Sequence, residues 1–137
     1  MSLHWVVCAS SDYLKRYGVP QRAEDLDAHK LILFGDYHPP VSDVNWLAEA
    51  GRRPGNPRRA LLEVNSTQAV MLAVRSGLGI GALPDFAMDE APDLVRILPD
   101  LKAPKVEVYF VYPEELRNSK RVAVFRDFLL ARLAELH

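Results

Sequence analysis

Apolar and polar positions follow two different periods along this chain, and their alternation predicts strands separated by helices. Unbroken apolar runs at 5–9 and 31–34 have the length of short strands, and the second is typical of a strand covered on both faces. Apolar positions recur every three or four residues at 67–76 and 119–136, as they do in helices. Further strands are predicted at 78–83, 94–98 and 106–112. Strands that alternate with helices indicate an α/β fold.

Residues 43–50 and 58–64 are predicted to form a β-hairpin. The segment between them, GRRPGNP, contains two glycines, two prolines and an asparagine, which are residues that turns favour. The two arginine pairs in this region, Arg52-Arg53 and Arg58-Arg59, are interpreted as parts of a solvated turn.

The helix predicted at 119–136 is amphipathic. Plotted at about 100° per residue, five apolar positions fall on one narrow seam with Arg126 and Arg132 at its margins. The seam consists of Val122, Phe125, Leu129, Leu133 and Leu136. An apolar seam of this kind needs a partner surface, either in its own chain or in a second copy.

Three glycines at alternate positions, Gly77, Gly79 and Gly81, raise the question of a phosphate-binding loop. Such a loop follows a strand and opens a helix, so that backbone N–H groups meet the phosphates. Here the helix comes first and the strand last. Gly77 is predicted to end the helix in a left-handed conformation, and the other two to permit close approach of a backbone or ligand. The order excludes a nucleotide site.

Composition and charge narrow the possible functions. The chain has 137 residues, enough for one domain with a core, and its 17 Lys and Arg against 18 Asp and Glu give a formal charge of -1. Because phosphate neutralisation dominates nucleic-acid affinity, this near-neutral chain is not expected to contact DNA itself.

The remaining compositional signals favour a cytoplasmic protein. The chain has neither an apolar stretch of membrane-spanning length nor a signal-peptide pattern at its start, so no membrane contact is expected. The single cysteine, Cys8, excludes an internal disulfide and is predicted to be a small buried side chain. Residues 1–3 are interpreted as an expression leader.

The order of several motifs is more specific than any one of them. The chain contains, in order, ASSDYLKRYGVP, RAEDLDAHKLILF, Trp46, EVNSTQAVMLAVRSGLGIGALP, LVRILPDL, VEVYFVYP and NSKRVAVFRDFLLARL. This series resembles the effector-binding domain of LysR-type transcriptional regulators over residues 5–134. The resemblance implies an α/β fold like that of type II periplasmic binding proteins. In such a fold a central mixed sheet is flanked by helices, and a small molecule binds between two lobes.

The resemblance also implies a domain organisation. Residues 5–113 correspond to the second lobe, and residues 114–137 to a return segment and C-terminal helix that would pack on a first lobe this chain lacks. The DNA-binding helix-turn-helix of the family is also missing, so the chain is interpreted as a fragment that meets DNA only through that missing part. We expect a homo-oligomer, because the helical seam is left without its partner.

Two junctions combine a strand end, small polar side chains and a helix start. Ligands in open α/β sheets bind beyond the carboxyl ends of strands, where helix N-termini converge and favour anions. The effector-binding residues predicted on these grounds are Ser10, Ser11, Phe34, Asn65, Ser66 and Thr67. The expected effector is a small carboxylate. Ser10 and Asn65 are also interpretable as helix caps, and Phe34 as a core residue.

Enzymatic chemistry has little support in the sequence. The four histidines, at 4, 29, 38 and 137, lack metal-ligand spacing, and His29 is interpreted as structural. The Ser10-Ser11 pair lacks the flanking glycines of a nucleophile elbow. We therefore predict neither a catalytic site, nor a metal site, nor a cofactor. Three hypotheses remain: the ligand-sensing domain of a transcription regulator, a solute-binding component of a transport system, and an enzyme of the same fold.

Overall fold

The computed structural model describes residues 2–35 and 43–135, which fall into two compact units, 2–106 and 107–135. Strands and helices alternate, as expected. The strands are β1 (Ser2–Leu3), β2 (Trp5–Ser10), β3 (Ile32–Phe34), β4 (Leu62–Val64), β5 (Gly81–Pro84), β6 (Leu94–Ile97) and β7 (Val106–Glu107). The α-helices are α1 (Ser11–Tyr17), α2 (Thr67–Arg75), α3 (Ala87–Glu90) and α4 (Lys120–Ala134). Short 3-10 helices span Ala23–Ala28, Trp46–Ala48 and Glu114–Leu116.

The main sheet of the first unit is mixed, in the order β4-β3-β5-β2-β6. β2 lies antiparallel to both β5 and β6, whereas β3 and β4 are parallel. A parallel bridge between Leu31 and Ile80 joins the two groups of strands. Its hydrogen bonds run from Ile32 N to Ile80 O (2.9 Å) and from Ile80 N to Lys30 O (2.8 Å). The predicted central mixed sheet is confirmed.

Side chains leave the two faces of this sheet for two separate apolar clusters. Along β3, Leu33 joins one cluster, while Ile32 and Phe34 join the other, as the two-residue period of a strand requires. Residues of α1 pack in the first cluster and residues of α2 and α3 in the second. Residues 31–34 are buried throughout, so the prediction of a strand covered on both faces is confirmed.

Local signals for the helix ends are also confirmed. Ser10 caps α1, and its Oγ accepts a hydrogen bond from Tyr13 N at 3.1 Å. After α2, Gly77 has a φ of +75°, the left-handed conformation that ends many helices. A Cβ at Gly81 would lie 2.8 Å from Val74 Cγ2, so the absence of a side chain there permits close packing of β5 on α2.

The predicted hairpin is wrong. Residues 43–50 form turns and the 3-10 helix Trp46–Ala48, and β4 pairs with β3 in parallel. Arg58 explains the difference, because its guanidinium donates to Ala48 O (3.4 Å), Ala50 O (2.6 Å) and Ala23 O (3.0 Å). Ala48 O also accepts from the Arg58 backbone N at 2.9 Å. The carbonyls of Ala48 and Ala50 therefore bond to Arg58 and not to a ladder of strand hydrogen bonds.

The solvated-turn interpretation of the arginine pairs fails for Arg58. Its side chain is only 5% exposed and its Nε lies 2.6 Å from Asp27 Oδ1. Arg52 Nε reaches the same oxygen at 3.0 Å. The two arginines lower the pKa of the Asp27 carboxyl chiefly through these hydrogen bonds, Arg52 first. The cluster holds the 50–58 segment to the 3-10 helix that contains Asp27.

Two predictions for the chain from residue 106 onward need correction. Of the strand predicted at 106–112, only Val106–Glu107 is a strand. The helix forms, but its apolar residues are not confined to one seam. Val122, Leu129 and Leu133 are half-buried, whereas Val124, Phe128 and Leu130 on other sides are 58% exposed or more. Leu136, His38, His137 and most of the loop predicted at 35–40 lie outside the described residues.

Candidate functional site

Strand direction decides which predicted site residues meet. β3, β4 and β5 run parallel, so Phe34, Val64 and Pro84 end them at one edge of the sheet. Trp5, which lies opposite Pro84, begins β2 at the same place. We call this edge, defined by Trp5, Phe34, Val64 and Pro84, the strand-end edge. β2 runs the other way, so Ser10 ends it at the opposite edge.

The position of helix α2 also shows that Ser10 and Ser66 lie at opposite ends of the strands. Ser66 caps its N-terminus, and Gly77 follows its C-terminus. A Cβ at Gly77 would lie 3.4 Å from Ser10 Oγ, so Ser10 sits beside the C-terminal end of α2. A nine-residue helix rises about 13 Å. The structure therefore does not bring the Ser10-Ser11 junction together with the Asn65-Ser66-Thr67 junction.

At the Ser10-Ser11 junction, Ser10 already has a structural role. Ser10 is 7% exposed, and its hydroxyl already accepts the capping bond from Tyr13 N. Ser11 is exposed as the first residue of α1. Nearby, Arg16 Nη2 donates to Gly77 O at 3.4 Å, which ties α1 to the end of α2. Burial and capping account for Ser10 without a ligand, whereas the role predicted for the exposed Ser11 stays a prediction.

The Asn65-Ser66-Thr67 junction lies at the strand-end edge with polar groups to offer. Ser66 Oγ accepts from Ala69 N at 3.2 Å, so Ser66 is the cap and Asn65 is not. Asn65 is exposed and Thr67 half-buried, and neither side chain hydrogen-bonds to another described residue. The first N–H groups of a helix also lack intrahelical partners. These donors and side chains are available to a ligand.

Phe34 is a core residue by position. It is 5% exposed and belongs to the cluster that contains Val70 and Val74 of α2. Its backbone, however, is held by Asn45, whose Oδ1 accepts from Phe34 N at 2.9 Å and whose Nδ2 donates to Phe34 O at 2.7 Å. An asparagine amide carries the same donor and acceptor as a peptide, so Asn45 extends the sheet where β3 ends.

Sequence reasoning missed Asn45, Trp5 and Phe86. Trp5 is half-buried at the strand-end edge, and Phe86, two residues beyond β5, is 41% exposed. Apolar runs locate strands but not their directions, so no sequence signal places these residues at the same edge as Val64. The amide of Asn45 within SDVNW is a weak local signal, because asparagine often ends a loop.

Three ionisable groups in or beside the core, Cys8, Tyr13 and His29, have structural surroundings. Burial raises the pKa of the Cys8 thiol to about 12, so this cysteine is an inert core residue, as predicted. Tyr13 Oη accepts from Lys30 N at 3.0 Å and shares a 2.9 Å hydrogen bond with His29 Nδ1.

Over 2–35 and 43–135 no three His, Cys, Asp or Glu side chains cluster as metal ligands. Nor does any helix in those ranges have the length and apolarity to cross a membrane.

In sequence, residues 1–134 match the protein-family model of the LysR substrate binding domain. The chain belongs to this family. Among relatives, the uncharacterised HTH-type transcriptional regulator YhjC of Escherichia coli K12 is 32% identical over 145 aligned positions, which cover 97% of this chain and 46% of that protein. The HTH-type transcriptional regulator CrgA of Neisseria meningitidis serogroup C is 30% identical over 133 positions, covering 93% of this chain and 43% of CrgA.

Solved LysR regulatory domains share the fold. The CrgA regulatory domain superposes with a TM-score of 0.77 at 26% identity, over 97% of this chain and 66% of that one. The regulatory domain of AphB from Vibrio vulnificus gives 0.71 at 31% identity, over 95% and 66%. The fold is therefore that of a type II periplasmic-binding-protein-like LysR domain. The chain spans less than half the length of the regulators it matches in sequence. These relatives favour the regulator hypothesis over the transporter and the enzyme.

Proposed function

We propose that this chain is the effector-sensing part of a LysR-type transcription regulator, and that it has no catalytic role. The observation that carries the proposal is the family match over residues 1–134, combined with the ligand-ready start of α2 at the strand-end edge. In the whole regulator, a cytoplasmic protein on this proposal, DNA would be contacted by a helix-turn-helix that these residues do not include. Residues 5–113 would act as the second lobe, and the 114–137 segment would pack on a first lobe.

The effector contacts of this lobe are assigned to Asn65, Ser66 and Thr67. A ligand at the strand-end edge meets the free N–H groups of α2, the Asn65 amide and the Thr67 hydroxyl. No acidic side chain in the described ranges hydrogen-bonds to any of these three residues. Helix N-termini favour negative charge by about 0.3 to 1 kcal/mol. A small carboxylate is therefore the effector chemistry that this edge supports best.

The test is a titration of the isotope-labelled chain with a panel of small carboxylic acids and their neutral amides. We expect the backbone amide resonances of residues 65–68 to move with the acids and to stay in place with the matched amides. Because one lobe supplies only part of the contacts, binding by this chain alone should be weak, and thermal shifts at millimolar ligand should not exceed about two degrees.

Asn65→Ala removes one proposed contact without removing the α2 cap. It should weaken binding of the acids, while the matched control Asn56→Ala, on an exposed turn of the same unit, should leave it unchanged. If the amides shifted residues 65–68 as strongly as the acids, the carboxylate assignment would be wrong. If no compound shifted them, and Asn65→Ala in a full-length regulator left its response intact, the site would be withdrawn.

A further inference from the structure

A second groove lies on the face of the sheet that α2 does not cover. Its volume is about 1070 Å³, which is ample for a small metabolite. Leu33 and Ala48 of the first apolar cluster contribute to its lining, with Leu101 beside them. The α2 start follows β4 on the side of the second cluster, and none of residues 65–67 lines the groove. The groove is therefore distinct from the proposed effector contacts.

Trp46 lines the groove and carries a buried hydrogen-bond donor without a partner. Its ring packs on the first apolar cluster and lines the groove. Its Nε1 is buried, yet it has no hydrogen-bond partner among the residues that the structure describes. Leaving a buried donor unpaired costs about 1 to 3 kcal/mol. An occupant of the groove with an acceptor atom would remove that cost, so the indole N–H points to a ligand that combines an apolar body with an acceptor.

Several polar side chains of the lining are already engaged. The Arg58 guanidinium is bound to Asp27 and to backbone carbonyls. Both ends of the Asn45 amide bond to Phe34. Glu49 Oε1 accepts from Gly55 N at 3.2 Å. The Arg58 and Asn45 groups complete the walls and are not available to an occupant, whereas the exposed Glu49 carboxylate keeps its second oxygen.

Four further charged side chains belong to the lining. Asp43 and Glu63 carry negative charge, and Arg59 and Lys102 carry positive charge. All four are exposed, and within the described part of the chain none of them forms an ion pair or a side-chain hydrogen bond. The rim thus offers free partners of both signs around an apolar floor.

We propose that this groove binds a small zwitterion with an apolar side chain, the chemistry of a free hydrophobic amino acid. The apolar group lies on the Leu33, Ala48 and Leu101 floor. The carboxylate accepts from the Trp46 indole N–H and faces Arg59 or Lys102, and the ammonium faces Asp43 or Glu63. The proposal concerns a binding site only and involves no chemical step.

The test uses three probes that share a phenyl ring: L-phenylalanine, 3-phenylpropionate, which lacks the ammonium, and 2-phenylethylamine, which lacks the carboxylate. The chain has two tryptophans, so a nitrogen-15 spectrum contains two indole signals, which Trp46→Phe and Trp5→Phe assign. L-phenylalanine should shift the Trp46 indole signal to saturation and leave the Trp5 signal in place. Its affinity should exceed that of either other probe by about tenfold.

Charge variants separate the two halves of the zwitterion. The double variant Arg59→Gln with Lys102→Gln should weaken L-phenylalanine by about fivefold or more and leave 2-phenylethylamine unchanged. The control Arg53→Gln removes a neighbouring exposed arginine that does not line the groove, and it should change neither affinity. An unmoved Trp46 signal at millimolar L-phenylalanine in the unmodified chain would overturn the site. Equal affinities for the three probes would overturn the zwitterion chemistry. Neither result depends on the residues 65–67, so the proposed effector site stands or falls separately.

Discussion

Residues 2–106 and 107–135 use their apolar side chains in opposite ways. In the first unit, apolar residues from Val7 to Leu98 form two clusters on the faces of one sheet, and many are fully buried. In the second, no described residue is buried, and Val111, Tyr109 and Val124 are 83%, 77% and 70% exposed. Both units are rich in apolar residues, so hydrophobic content alone does not separate them.

The difference lies in whether the apolar surface finds a partner within its own unit. The first unit has a sheet with helices on both faces, so side chains from either face meet others. The second has one long helix, and its aromatic contacts are few, such as Phe110 with Phe125 at 5.9 Å between ring centroids. A single helix cannot bury apolar residues that point in several directions. The first unit therefore covers much of its apolar surface with its own side chains, whereas the apolar residues of α4 are left largely uncovered.

The largest expected effect is self-association through α4. Fully burying side chains such as Val124, Phe125 and Phe128 is worth about 1.5 to 3 kcal/mol each, enough in sum to hold two copies together. Light scattering after gel filtration should give the mass of a dimer, and Phe125→Asp should shift it to that of a monomer. The control Phe86→Asp places the same charge at an exposed phenylalanine of the first unit and should leave the dimer intact. The prediction would be contradicted if the chain stayed monomeric over a hundredfold range of concentration, a range that corresponds to about 2.7 kcal/mol of association free energy.

Truncating one apolar side chain in each unit should have very different consequences for stability. Ile80 is completely buried, so Ile80→Ala should lower the free energy of unfolding by about 2 to 5 kcal/mol. Leu130 is 59% exposed, and Leu130→Ala should change it by about 0.5 kcal/mol or less. Both changes are made in the Phe125→Asp variant, which is expected to be monomeric, so that urea unfolding measures the stability of the single chain without a contribution from association. Similar losses for the two variants would show that α4 is as well packed as the sheet.

The N-terminal caps of α2 and α4 should also differ, by about 1 kcal/mol in their contribution to the free energy of unfolding. Ser66 caps α2 through Ala69 N, whereas Ser119, at the same position of α4, makes no side-chain capping bond. Ser66→Ala should therefore cost about 1 kcal/mol of unfolding free energy, and Ser119→Ala a few tenths at most. Thermal unfolding followed by circular dichroism measures both. An equal loss at Ser119 would mean that α4 is capped in solution.

The smallest effect is a pH dependence confined to the first unit. Burial lowers the pKa of His29 from 6.5, and Asp25 opposes this shift. Tyr13, Tyr17 and Lys30 are further titratable groups next to His29, joined by hydrogen bonds and ring stacking. With the folded-state pKa lowered, the unfolded chain takes up the proton first. His29 thus contributes stability above pH 6.5, and the contribution is lost as the pH falls from 6.5 through the folded-state pKa.

Unfolding midpoints between pH 7.5 and 5 measure this contribution. The midpoint should fall over that range in the unmodified chain, and His29→Gln, which retains a hydrogen-bonding side chain toward Tyr13, should flatten the dependence. His4→Gln is the control, because His4 is exposed at the start of the chain. An unchanged pH profile in His29→Gln would show that another group titrates in this window.

Signals within a few residues were sufficient for much of the first unit. The cap at Ser10, the left-handed Gly77 and the start of α2 after residues 65–66 depend on hydrogen bonds and backbone conformation close in the chain, and the structure has all three, with Ser66 and not Asn65 as the cap of α2. The apolar run at 31–34 was enough to predict a buried strand, although its hydrogen-bonded partners are distant in the chain. The order of the motifs was also enough to recognise the LysR domain. Local chemistry of this kind depends little on what the rest of the chain does.

Tertiary structure alone decided which of these features meet. The 43–50 segment was predicted to be a strand, but two of its carbonyls, Ala48 O and Ala50 O, accept from the buried Arg58 side chain, and β4 pairs instead with β3, about thirty residues away. The direction of β2 puts Ser10 at the edge opposite to Asn65, and the pairing of β3 with β4 leaves Trp46 beside a groove. In each case a segment could pair with more than one distant segment, and its local sequence favours none of them. The pairing that forms is the one that gives the best packing of the whole sheet.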